Sequence, residues 1–100
     1  MERKVFRTDK VVDFPAFSQA IIVGDFIFLS GQCAIGKEAS IKDISDHKLG
    51  NIPVKPMSFR EQMEMTLNNV KTILEEAGTS LRNVVKTRVS LANMENYDEM

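Results

Sequence analysis

The clearest pattern along the chain is a pair of apolar runs broken once by a polar turn, in "QAIIVGDFIFLSGQ", residues 19 to 32. Gly24 and Asp25 form the kind of pair a tight two-residue hairpin prefers, because glycine takes a positive φ without steric cost. The pattern predicts a β-hairpin from Gln19 to about Gln32. Neither arm alternates: Ile21, Ile22 and Val23 face Phe26, Ile27, Phe28 and Leu29. Both faces of the resulting sheet therefore have to be hidden from water.

A second pattern has helical period. In "SFREQMEMTLNNVKTILEEAG", Ser58 and Glu61 have the spacing of a capping box, in which hydroxyl and carboxylate satisfy orphan backbone N–H groups at a helix start. Phe59, Met63, Leu67, Val70, Leu74 and Ala77 follow at spacings of four and three, which makes one apolar stripe. Gly78 is placed to end the helix in a left-handed conformation. Burying the large side chains of that stripe is worth on the order of 10 kcal/mol gross, before conformational entropy is subtracted. The helix must therefore lie on something, and the hairpin is the available floor.

Further along, "NVVKTRVSLA" alternates, with Val85, Thr87, Val89 and Leu91 on one side and Lys86, Arg88 and Ser90 on the other, which predicts a strand. Asn93 then stands where a helix N-cap would, ahead of Met94, Tyr97 and Met100 at apolar-face spacing. That helix has about two turns before the sequence stops, so the reading is of an interrupted domain. Upstream, "KVFRTDKVV" from Lys4 to Val12 suits a first strand beside the hairpin, and "DFPAFS" is a turn in which Pro15 bars helix. Residues 36–57 are a long polar loop carrying Gly50, Pro53 and Pro56; it could act as a lid, hold a strand around Ile41 or be mobile.

Composition narrows the class. The chain has 100 residues, 43% of them hydrophobic and 27% charged, with a formal net charge of −1. That suits one domain, 1–100, small enough that association with copies of itself would help to stabilise it. The charge is spread along the chain, with no basic stripe for phosphates, so nucleic acid is not expected as a partner. No apolar run approaches the roughly 18 residues of a membrane helix, and the first residues lack the apolar segment of a signal peptide. No membrane partner is expected, and the default address is the cytoplasm. Cys33 is the one cysteine, which excludes an intrachain disulfide and a multi-cysteine metal cluster. No metal and no cofactor are expected. Cys33 reads as a small buried hydrophobe, His47 as solvated, Arg88 as solvated or bridging subunits, and Glu75 and Glu76 as carrying no chemistry.

With these elements in hand the chain resembles a known family. "FSQA", "FLSGQ" and "LEEAGTSLRNVVKT", in that order and at the expected separations, are similar to the motifs of the YjgF/YER057c/UK114 family, also called the Rid or reactive-intermediate deaminase family. The resemblance spans nearly the whole chain. It implies an α+β fold, a mixed sheet with helices packed on one face as in chorismate mutase, here lacking its C-terminal strands. It also implies a homotrimer whose bare sheet faces meet at the centre, with ligand clefts between subunits. Active members of that family hydrolyse 2-imino acids or their enamine tautomers to 2-keto acids and ammonia.

A carboxylate-bearing imine or enamine needs a cation, backbone or hydroxyl partners, and an oriented water. The resemblance puts Phe17, Ser30 and Gly31 in the cleft wall with Gln32 and Cys33 close by, and Glu95 at a further substrate-binding position. The family's arginine and late glutamate fall past Met100, so the catalytic residues are unknown from these 100 positions. Phe17 stands where the family has tyrosine, and Glu95 where many members have asparagine. Two readings follow: an intact trimeric imine hydrolase, or a non-catalytic trimeric member that binds a small molecule. Ribonuclease action, also attached to the family, finds little support in the charge balance.

Overall fold

A computed structural model describes residues 2–13, 17–34, 58–91 and 93–100. The Pro15 turn, the 36–57 loop and His47 lie outside those residues. Three strands form one antiparallel sheet in the order β1 (Arg3–Phe6), β2 (Ala20–Val23) and β3 (Phe26–Leu29). The hairpin turns at Gly24, whose φ of 58° is the positive value that the Gly-Asp pair predicts.

The register separates the two faces. Phe6, Ala20 and Leu29 lie side by side on one face with Ile22 and Ile27, while Val5, Ile21 and Phe28 share the other with Val23 and Phe26. The first face carries the core, in which Val11, Ala20 and Ile73 are buried and Phe6, Val12, Ile27 and Leu29 pack around them. On the second face Val5, Phe26 and Phe28 are 58%, 64% and 62% exposed. The helix thus covers one side of the sheet, which is the expected α+β arrangement, and the other side presents bare aromatic and aliphatic surface.

Helix α1 (Phe59–Glu76) begins and ends as its sequence dictates. The Glu61 N–H donates to Ser58 Oγ at 3.1 Å, and that hydroxyl lies 3.2 Å from Glu61 Oε1. At the other end Thr79 N–H reaches the Leu74 carbonyl at 2.9 Å and Gly78 N–H the Glu75 carbonyl at 3.1 Å, with Gly78 at φ 93°. Those two bonds are the Schellman pattern, which satisfies carbonyls the helix leaves open. The stripe holds at Phe59, Met63, Val70, Leu74 and Ala77, all at least half-buried, with Leu74 3% exposed, and departs at Leu67. Ile73 is fully buried, whereas Leu67 is 50% exposed. Ile73, next to Leu74, is the helix residue that joins the sheet's core cluster, and the predicted stripe does not include it.

Two other expectations are corrected. The first strand ends at Phe6, and the chain from Thr8 to Val12 leaves the sheet because Gln19 captures its main chain. Gln19 is 3% exposed. Its Oε1 accepts from Thr8 N–H at 2.6 Å, and its Nε2 donates to the carbonyls of Thr8, Val11 and Val12 at 3.0, 3.2 and 3.0 Å. The predicted strand after α1 is unpaired among the described residues: a short 3-10 turn at Leu81–Asn83 leads into Val84, extended at φ −71°, ψ 128°. Val85 there is 89% exposed. Alternation makes a segment competent for a ladder, but a strand exists only with a neighbour to bond, and none of the described residues supplies one. The Asn93 cap forms as read, its Oδ1 accepting from Glu95 N–H at 2.9 Å, over the 3-10 turn Met94–Asn96.

Replacing Gln19 by leucine strands three carbonyls and an N–H, and denaturant unfolding should show a loss of about 3 kcal/mol or more. Gln19→Glu turns a carboxyl toward three carbonyl oxygens, which favours its protonated form in the folded state. The raised folded pKa makes that variant lose stability as pH climbs above the unfolded value of about 4.3, levelling off past the folded value. Thermal melts at pH 4 and pH 7 should therefore separate for the variant far more than for the parent.

Candidate functional site

Strand β3 delivers its last residues to the place where Gln19 begins β2. The Ser30 N–H donates to the Gln19 carbonyl at 3.0 Å, and Ser30 Oγ donates to the same oxygen at 3.3 Å. Gln32 folds back so that Nε2 lies 3.3 Å from Ser30 Oγ and 3.4 Å from the Ser30 carbonyl. A hydroxyl has one hydrogen and two lone pairs. With the hydrogen directed at Gln19, what Ser30 offers a ligand is an acceptor.

Gly31 follows in the open. A Cβ built on it meets nothing within 4 Å, and its φ lies outside the left-handed region. Neither packing nor backbone geometry among the described residues requires glycine there. Among the described residues no backbone hydrogen bond outside the sheet uses Gly31 or Gln32. The segment is closed at its far end by the Cys33 carbonyl, which accepts from Asn69 Nδ2 of α1 at 3.0 Å.

The structure thus brings Ser30, Gly31 and Gln32 together around the Gln19 carbonyl, with Phe17 two residues upstream and 59% exposed. Glu95 is exposed on the Met94–Asn96 turn, and its hydrogen bond runs through its backbone to Asn93 rather than to the strand end. Cys33 is exposed, against the expectation of a buried hydrophobe, because it sits past the end of β3 where the chain leaves the core. Partial desolvation nevertheless raises its thiol pKa above the ordinary 9.0. Arg88 is exposed on the unpaired segment. Glu76 pairs with Lys10 at 3.1 Å and Glu75 with Lys71 at 3.9 Å, surface contacts without chemical role.

Sequence reasoning missed Gln19 and Asn69. The signal for Asn69 was present: an Asn-Asn pair inside a run of good helix formers costs helix propensity and asks for a reason. Gln19, read only as the hairpin's first residue, gave no comparable signal, since a polar residue at a strand start is ordinary. Two shallow depressions of about 230 and 170 Å³ lie around Gly24 at the other end of the hairpin and include none of the strand-end residues. Among the described residues no group of His, Cys, Asp and Glu is placed to hold a metal, and no helix is long and apolar enough to cross a membrane.

A helix-covered antiparallel sheet with an open apolar face and a main-chain site at a strand end defines an α+β protein of the YjgF-like fold. Residues 9–100 match the endoribonuclease L-PSP family, and the chain belongs to that family, which includes the Rid and RutC proteins. It is 39% identical over 101 residues to a RutC family protein of Pyrococcus abyssi, covering all of this chain and 70% of that one. It is 34% identical over 96 residues to the rat 2-iminobutanoate/2-iminopropanoate deaminase, covering 95% of this chain and 61% of the rat protein. The crystal structure of yeast Mmf1 superposes with a TM-score of 0.79 at 30% identity, over 98% of this chain and 69% of Mmf1. RidA from an Antarctic Psychrobacter matches with a TM-score of 0.74 at 30% identity, over 95% of this chain and 68% of RidA.

The raised Cys33 pKa predicts a thiol slower than an unperturbed one at neutral pH, since the thiolate is the nucleophile. Iodoacetamide labelling followed by mass spectrometry should give a pH profile whose midpoint lies above that of a cysteine-containing peptide measured alongside.

Proposed function

We propose that the intact protein hydrolyses 2-imino acids, or their enamine tautomers, to 2-keto acids and ammonia. The observation that carries this reading is Gly31, an exposed glycine whose main chain meets no partner among the described residues and whose missing side chain nothing in the described structure explains. A planar, carboxylate-bearing substrate can lie against such a peptide. Family membership and the rat relative named as an imine deaminase support the reaction class.

Water adds to the C=N carbon to give a carbinolamine, and departure of ammonia leaves the keto acid. The resident groups bind and orient. The Gly31 or Gln32 N–H donates to the substrate carboxylate or the developing oxygen, and the Ser30 Oγ lone pair accepts an N–H of the iminium. Phe17 contributes an apolar wall. In the family that the chain resembles, the carboxylate clamp and the water-positioning acid stand at positions that align past Met100. Glu95, where it faces the cleft, disfavours an anionic substrate.

The clefts of this reading lie between subunits of a homotrimer that buries the outer sheet face of Val5, Phe26 and Phe28. A second reading, a trimeric member that binds a keto or imino acid without turning it over, is favoured by Phe17, which lacks a phenol hydroxyl. The proposed address is the cytoplasm. Because the yeast relative is named as mitochondrial, cell fractionation is the measurement that decides it.

Two measurements on the full-length protein test these statements. An imine generated in situ by an amino-acid oxidase should release ammonia faster in its presence, and Gly31→Val should lower kcat/KM about a hundredfold by displacing the substrate. Saturable binding of the keto acid without acceleration would select the binding reading instead, and neither result would end both. Native mass spectrometry should show three chains for the parent, and Phe28→Asp should shift the species to monomer.

A further inference from the structure

The strand-end segment is fastened at both ends by different elements. At Ser30 the N–H and Oγ both reach the Gln19 carbonyl of the β2 start, at 3.0 and 3.3 Å. Three residues later the Cys33 carbonyl accepts from Asn69 Nδ2 at 3.0 Å, across 36 positions of sequence. Between the fastenings lie Gly31 and Gln32, whose main-chain groups are not otherwise engaged among the described residues.

An ordinary helix-to-sheet tie would rest on apolar packing, and here little packing is available. Nothing surrounds a Cβ at Gly31, and Cys33 is exposed. The bond from Asn69 also goes to a carbonyl outside every ladder, so no strand pairing holds that peptide if the bond is lost. A segment of this length with one end free would swing at Gly31, which has the widest backbone freedom of any residue.

The geometry points to Asn69 as a positioning residue: through the Cys33 carbonyl, its carboxamide sets where the Gly31 main chain meets a bound imino acid. The identity of that ligand rests on the reading above, whereas the fastening itself does not.

The test uses Asn69→Leu, which keeps the volume and removes the donor, and Asn69→His, which returns an N–H at similar reach, both in the full-length protein. With the leucine, kcat/KM for the imine should fall about tenfold, carried by KM with kcat within about twofold, because a contact present in bound and transition states alike is lost. Amide exchange at Gly31 and Gln32 should quicken, and Cys33 should react several-fold faster with an aromatic disulfide, while the melting temperature stays close to the parent's. The histidine should recover both the KM and the thiol rate.

Parent-like KM and parent-like Cys33 reactivity in Asn69→Leu would overturn the proposal, as would a kinetic loss with exchange at Gly31 unaltered. A parent that hydrolyses no imine ends the imine reading alone, and exchange and thiol reactivity then decide the positioning role by themselves. Should the leucine variant not assemble, Asn69→Asp carries the same two readouts, and unchanged exchange in it overturns the proposal equally.

Discussion

From Thr8 to Val12 the chain runs beside the hydrophobic core without sheet pairing, which leaves main-chain donors and acceptors where water has little access. The Gln19 amide supplies what the ladder does not. Its two N–H hydrogens serve three carbonyls, so at least one is shared, while its oxygen takes the Thr8 N–H. Each of those groups left unpaired in a buried setting costs about 1 to 3 kcal/mol, so the loop's path depends on this one side chain. The same residue's main-chain carbonyl receives Ser30. Core closure through Val11 and placement of the strand end are thereby linked in a single residue.

That linkage explains which parts of the molecule could be read from sequence. The hairpin and both ends of α1 follow from contacts within a few residues: a glycine at positive φ, a serine cap, a Schellman close. Local chemistry is what sequence records directly. Which apolar positions of the helix are buried most deeply is not a local matter. Leu67 and Ile73 are equally apolar and both lie near the same stripe, and only the height and tilt of the sheet decide which is buried. The capture of Thr8, Val11 and Val12 by Gln19 spans up to eleven positions and has no periodic signature. Of the candidate site, Ser30, Gly31 and Gln32 were legible as an unexpected end to an apolar strand; the anchors that hold them were not.

The two faces of the sheet show the same division. Non-alternating arms required both faces to be covered, and the structure covers one, with Ile73 against Ala20, and leaves Phe26 and Phe28 open on the other. Aromatic surface at that density on a flat sheet is costly in water and well suited to a matching surface. The segment from Val84 to Ser90 poses a similar demand in hydrogen bonds rather than in area. Its alternation fits a half-buried strand, yet it stands unpaired among the described residues. Both features describe a chain whose physical requirements extend past its own atoms, and the family fold shared with yeast Mmf1 and RidA is consistent with strand and subunit contacts meeting them.

Ser30 bears on the kind of chemistry such a site can do. A serine nucleophile needs a base to take its proton, and this hydroxyl has a carbonyl oxygen at 3.3 Å instead, with an amide donor on its other side. That arrangement stiffens the hydroxyl and leaves a lone pair outward, which suits recognition of an N–H more than attack on a carbon. The nearby thiol is no better placed, since desolvation raises the Cys33 pKa and so lowers its thiolate fraction further. Covalent catalysis is therefore poorly served by the strand end, and orientation is well served. A substrate as reactive toward water as an imine asks for little more than that, because the C=N carbon is already electrophilic once the nitrogen is protonated. On the proposed reading the protein's contribution would be to hold a small anion against a fixed peptide while water adds, and the rigidity of the three residues after β3 would be what that task requires.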